Sequence, residues 1–88
     1  MKLTQRQRVV RVLRAVRDSA WGKIPGEYLC EMGGEMWLSA RYIKQIMLIS
    51  ECNARISELR AEGYNIGTQE KDRYGFSYHR LIEEPKTI

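Results

Sequence analysis

Cysteine, proline, histidine and phenylalanine are scarce in this 88-residue chain, with two, two, one and one of each. Cys30 and Cys52 are too few for a disulfide scaffold or a cysteine-rich zinc module, so a reducing, cytoplasmic setting is expected. The longest unbroken apolar run is Ile46-Met47-Leu48-Ile49, too short to span a bilayer or to form a secretory signal, so no membrane role is expected. The chain has no Gly-rich phosphate loop and no paired carboxylates in an apolar setting. No enzymatic activity and no cofactor are expected. His79 with Cys30 and Cys52 is the one combination that could suggest a metal. Its spacing matches no zinc pattern, and Cys52 reads as a core thiol, so no metal site is expected.

What is present is a globular composition with uneven charge. Hydrophobic residues make up 43%, too many for a disordered tail. The length allows one domain, taken as residues 1–84 with a frayed tail over 85–88. Fifteen Lys and Arg stand against eleven Asp and Glu, a net charge of +4. Residues 1–17 carry Lys2, Arg6, Arg8, Arg11, Arg14 and Arg17 and no acid. Residues 27–35 carry Glu27, Glu31 and Glu35 and no base. A small domain polarised in this way suits a polyanion on its basic side.

Thr4 is an expected N-cap for a helix running to about Asp18, with Val9, Val12, Leu13, Val16 and Ala20 on its inner side and Arg11 and Arg14 opposite. Residues 25–32 read as a short helix that starts at Pro25, buries Tyr28, Leu29 and Met32, and stops at Gly33-Gly34. Glu27, Glu31 and Glu35 then crowd one side of it, away from any nucleic acid. Ser39 is an expected cap for a helix over 39–47, with Tyr42, Ile43, Ile46 and Met47 inside and Arg41, Lys44 and Gln45 outside. Ser50 is a cap candidate for a helix over 51–62, with Cys52, Ile56 and Leu59 buried and Gly63 as its stop. Two helices of this size joined by a short turn have the dimensions of a helix-turn-helix. After Gly63 the period changes. Residues 64–68 and 76–81 read as strands around a charged tip, a hairpin over which 69–75 form the turn. The fold class expected is mainly α with a β-hairpin wing, a winged helix-turn-helix.

The segment Asn53-Ala54-Arg55-Ile56-Ser57-Glu58-Leu59-Arg60, followed by Gly63-Tyr64-Asn65-Ile66, resembles a signature of small winged helix-turn-helix proteins common in bacteriophages and prophages. The stretch from Lys71 to Leu81 resembles the wing and final strand of that group. The likeness covers roughly residues 4–82 and is most specific from Arg55 to Ile66. Residues 35–49 form a longer insert before this helix than in many relatives, which leaves two segments for helix 2, 25–32 and 39–47. The spacing to Ser50 favours 39–47. The resemblance implies binding to duplex DNA as a regulator of transcription.

If 51–62 is the recognition helix, its buried stripe turns Asn53, Ala54 and Ser57 outward with Arg55 and Arg60 on the flanks. Asn pairs with adenine, Arg with guanine and Ser with base or phosphate, while Ala permits close approach. Asn53, Ala54, Arg55 and Ser57 are the expected base readers. Arg41, Lys44, Arg60, Lys71 and Arg73 are the expected phosphate contacts. Glu51 is expected to pair with Arg55 on the helix surface, and Asp72 and Glu70 to blunt the charge of the wing. The arginines of residues 6–17 divide between phosphates and partners such as Glu58 and Glu62. A homodimer on two half-sites is expected. Tyr74, Phe76 and Tyr78 alternate along one strand, the pattern of a single-strand stacking surface. A different class of function is an adaptor that docks on a host or phage protein through Glu27, Glu31 and Glu35 with Trp21, Met36 and Trp37.

Overall fold

A computed structural model describes residues 3–20 and 22–85. Helix α1 spans Gln5–Arg17 and opens with a capping box. Thr4 Oγ1 accepts from the Gln7 N–H at 3.1 Å, and Gln7 Oε1 accepts from the Thr4 N–H at 2.8 Å. These reciprocal bonds satisfy two of the donors that a helix start leaves bare. Val9, Leu13 and Val16 are fully buried, and Val10 joins them, whereas Val12 is half-buried and Ala20 is exposed.

The segment expected as a short helix over 25–32 is instead a single 3-10 turn, Gly26–Tyr28, leading into strand β1, Leu29–Met32. Gly33 and Gly34, with φ of +60° and +81°, reverse the chain into strand β2, Glu35–Ser39. A two-residue hairpin turn wants positive φ at both positions, and Gly-Gly supplies it without a Cβ clash. The pairs Leu29–Leu38, Cys30–Trp37, Glu31–Met36 and Met32–Glu35 set the register. Because alternate residues of a strand face opposite ways, Glu31 and Glu35 lie on opposite faces rather than crowding one side.

Strand β2 runs directly into helix α2, Ala40–Gln45, where Ser39 caps by accepting from the Arg41 N–H at 3.1 Å. Ile43 and Ile49 are fully buried. The expected inner residue Ile46 is 52% exposed, because the helix stops at Gln45 and Leu48 turns the chain with φ of +59°. Helix α3, Cys52–Ala61, buries Cys52, Ile56 and Leu59 as expected. Its N-cap position falls on Glu51, not Ser50, and no side chain caps it. At its end the N–H of Gly63 bonds to Arg60 O and that of Tyr64 to Leu59 O, both at 3.1 Å, a Schellman closure.

Strands β3, Asn65–Lys71, and β4, Ser77–Glu83, form the second hairpin, and β4 also pairs with β2. The described residues thus form three α-helices and one antiparallel sheet of order β1-β2-β4-β3, a mixed α/β architecture rather than a mainly α one. The helices cover one face, where Leu13, Leu38, Ile43, Ile56, Leu59 and Leu81 meet. On the other face the Trp37 indole, 7% exposed, lies against Gly67, and a Cβ at Gly67 would stand 2.9 Å from its Cη2. The end of the sheet is tied down. Glu84 accepts from Arg14 and Arg17, bonds that hold its carboxyl below the usual range, and Pro85 packs on Gly63. Residues 86–88 of the expected frayed tail lie outside the described residues, as does Trp21.

Candidate nucleic-acid interface

The first turns of α3 and the β3–β4 hairpin face each other across an open groove of about 490 Å³. Asn53 and Ala54 line its α3 side, Lys71, Phe76 and Ser77 the hairpin side, and Lys44 of α2 the end between them. Asn53 and Ser57 are exposed and Ala54 is half-buried, since Cys52, Ile56 and Leu59 take the opposite side of the helix. Lys44, Lys71 and Arg73 are exposed. The Lys44 ammonium lies 5.6 Å from the centre of the Phe76 ring, and the Arg73 guanidinium 5.2 Å from that of Tyr74. Both cations therefore rest on aromatic faces that restrict them without neutralising them.

Two of the expected phosphate contacts are committed elsewhere. Arg41, expected on the outer face of α2, is 9% exposed and held between two rings, 4.4 Å from the centres of both Tyr28 and Tyr74. Its Nε lies 3.4 Å from Asp72 Oδ2, and its Nη2 donates to Glu27 O at 3.2 Å. Asp72 thus points inward instead of blunting the wing, while the side chain of Glu70 lies outside the described residues. Burial pushes the Asp72 carboxyl up, but the Phe76 and Tyr74 N–H groups, the Ser39 hydroxyl and Arg41 outweigh it and hold it below the usual carboxylate value. The tip is pinned from inside.

Arg60 turns back over strand β3. It donates from Nε and Nη2 to Ile66 O at 3.1 and 2.7 Å, and from Nη2 to Thr68 Oγ1 at 2.7 Å. Thr68 Oγ1 is 3.0 Å from Nδ1 of His79. Burial, with Arg60 close by, pushes the His79 imidazole down to about 4, so it is neutral at neutral pH. Cys52 is equally internal, its thiol pushed up to about 11 by burial.

Arg55, expected as a base reader paired with Glu51, is half-buried and pairs with Glu58 instead, Nε to Oε1 at 2.9 Å, while its Nη1 donates to Gln5 at 3.1 Å. It ties α3 to the start of α1. Glu51 is left exposed on the groove, a carboxylate that sequence reasoning had spent on Arg55. Among the arginines of α1, Arg6 pairs with Glu58 and Glu62 as expected.

The expected single-strand stacking surface does not assemble. Tyr74 lies in the turn and stacks on Arg41, so Tyr74, Phe76 and Tyr78 do not form one strand-borne platform. Of the face expected for an adaptor, Trp37 is buried on Gly67 and Glu35 is paired with Arg80 at 2.9 Å, while Glu27 and Glu31 are exposed and Trp21 lies outside the described residues. Among the described residues no His, Cys, Asp and Glu cluster could hold a metal ion, and no helix is long and apolar enough to cross a membrane. Comparison with known protein families, with curated proteins and with solved structures finds no match to this chain.

Proposed function

We propose that this protein is a winged helix-turn-helix reader of duplex DNA, non-catalytic, acting as a transcription regulator of the bacteriophage type that the Arg55–Ile66 segment resembles. The order α1, β2, α2, α3, β3, β4 and the pairing of β2 with β4 suit that architecture. The observation that carries the reading is the groove itself. Outward Asn53, Ala54 and Ser57 stand on α3, across from Lys71 and beside Lys44, while Arg73 stands farther out on the hairpin tip.

In this reading the first half of α3 enters the major groove. Asn53 and Ser57 pair with base edges, Ala54 allows approach, and Glu51 accepts from a cytosine amino group. Lys44, Lys71 and Arg73 take phosphates, and Arg55 orients α3 through Gln5 and Glu58. One such module spans a half-site, so the reading includes a homodimer on a two-part operator.

Selection of bound duplexes from a random pool, followed by anisotropy titrations over a salt series, tests this. Asn53→Ala is expected to lose about 1–3 kcal/mol at one or two base positions and little non-specific affinity. Replacing Lys44, Lys71 and Arg73 together by alanine is expected to weaken all sequences and to lower the salt slope by roughly two to three units. A pool that yields no bound sequence at low salt sinks the proposal.

A further inference from the structure

A second groove, of about 610 Å³, lies along α1 and reaches Tyr42 of α2. Its floor is apolar, with Val12, Ala15, Ile24, Tyr42 and Met47, and its rim carries Arg8, Arg11 and Lys23. The pairing of charges on α1 is lopsided. Arg6, Arg14 and Arg17 all meet carboxylates from Glu58, Glu62, Glu84 or Asp18. Among the described residues, Arg8, Arg11 and Lys23 have no carboxylate within ion-pair distance. Arg8 is fixed at the groove's end by a 3.0 Å bond to Met47 O.

The chain on either side of Met47 adds a second observation. Leu48 holds φ of +59° and is 78% exposed, and Ile46 is 52% exposed. A branched apolar residue in left-handed backbone, facing water, gains nothing inside the chain from its position. Both residues are chain neighbours of Met47, which lines the groove, and they add exposed apolar surface next to it in the sequence.

We propose that this groove docks an amphipathic helical segment of a partner protein, with apolar side chains on the floor and carboxylates against Arg8, Arg11 and Lys23. The apolar floor disfavours a nucleic-acid backbone, which would satisfy the cations and leave Val12, Ile24 and Met47 wet. A second copy in a symmetric contact would bring cationic rim against cationic rim. An acidic amphipathic helix meets both the charge and the apolar surface, the helix-in-groove mode of recognition. The proposal stands apart from the DNA reading, because the two grooves share no lining residue.

The test uses the full chain and a labelled helical peptide of about 18 residues, with leucine on one face at i, i+3, i+4 and i+7 and glutamate on the other. Saturable binding is expected, and it is expected to vanish for a peptide with serine in place of leucine. Ala15→Phe, which fills the floor, and Arg11→Glu with Lys23→Glu, which inverts the rim, are each expected to weaken binding about tenfold or more. The rim-inverted protein is expected to gain affinity for the same peptide built with lysine. Circular dichroism melts identify variants that fail to fold. Should Ala15→Phe fail, Ala15→Gln keeps the fold while narrowing the floor. Absence of saturable binding overturns the proposal, as does binding indifferent to both sets of variants. Competition by duplex DNA, or a self-dimer dissolved by Ala15→Phe, assigns the groove to another occupant and likewise overturns it.

Discussion

Arg41→Ala removes a guanidinium that joins the tip of the β3–β4 hairpin to the 3-10 turn before β1 and to α2. It lies 4.4 Å from two ring centres, donates to Glu27 O, and faces Asp72 from 3.4 Å. Each partly desolvated cation–π contact contributes about 1 kcal/mol, and the bond to Glu27 about the same. Orphaning a buried charge costs about 3–5 kcal/mol, but Asp72 keeps the Ser39 hydroxyl and the Tyr74 and Phe76 N–H groups, so its share is about 1–2. These contributions overlap, and about 3 kcal/mol is the expected loss. A chain of 88 residues has a total stability of about 4–13 kcal/mol. Urea denaturation of the parent, Arg41→Ala, Asp72→Asn and the double variant measures it, and the cost of Arg41→Ala should fall by about 1–2 kcal/mol once Asp72 is asparagine. Hydrogen exchange at Tyr74, Gly75 and Phe76 should quicken in every variant. A loss below about 1 kcal/mol, with the tip amides as protected as in the parent, refutes the reasoning.

Gly67→Ala places a Cβ 2.9 Å from the Trp37 ring, so displacement of the indole should cost about 1–3 kcal/mol and shift tryptophan fluorescence. An unchanged spectrum and melting temperature would contradict that packing. Leu48→Gly relieves left-handed backbone at an exposed site and should stabilise by about 0.5–1 kcal/mol, read as a higher urea midpoint. His79 titrates near 6.5 when unfolded and near 4 when folded, so the unfolded chain takes up a proton first as pH falls. Stability should be full above about pH 6.5 and decline by up to about 1.4 kcal/mol per unit below it. In His79→Gln that decline between pH 6.5 and 5 should flatten, as urea titrations at several pH values will show.

How much was legible depended on where each residue's partners lie. Thr4 and the Val9–Leu13–Val16 spacing predict α1, and Cys52, Ile56, Leu59 and Gly63 predict α3 with its outward side, because caps and stripes are local signals. The first hairpin was hidden. Tyr28, Leu29 and Met32 fit a helical face as well as a strand, and Gly33-Gly34 can end a helix or turn a hairpin. Arg41 and Arg60 read as outward cations because their partners arrive through tertiary folding: Asp72 from the distant β3–β4 hairpin, and Ile66 and Thr68 through the chain reversal at Gly63. The exposed Glu51 was missed for a related reason. Its expected partner Arg55 is i+4 along the helix, but Glu58 at i+3 from Arg55 took the place.

Helix α3 keeps its two sets of side chains separate. Cys52, Ile56 and Leu59 are buried, Arg55 and Arg60 hold the helix to α1 and β3, and Asn53 and Ser57 touch none of these supports through a side-chain hydrogen bond or ion pair among the described residues. Exposed substitutions of that kind usually change stability by less than about 0.5 kcal/mol. Evolution can therefore rewrite the outer side of the helix with little effect on folding. Under the proposed DNA reading, lineages sharing this scaffold would diverge in the sequence they bind while melting at nearly the same temperature, and the variable positions would mark the DNA-facing surface more clearly than the constant ones.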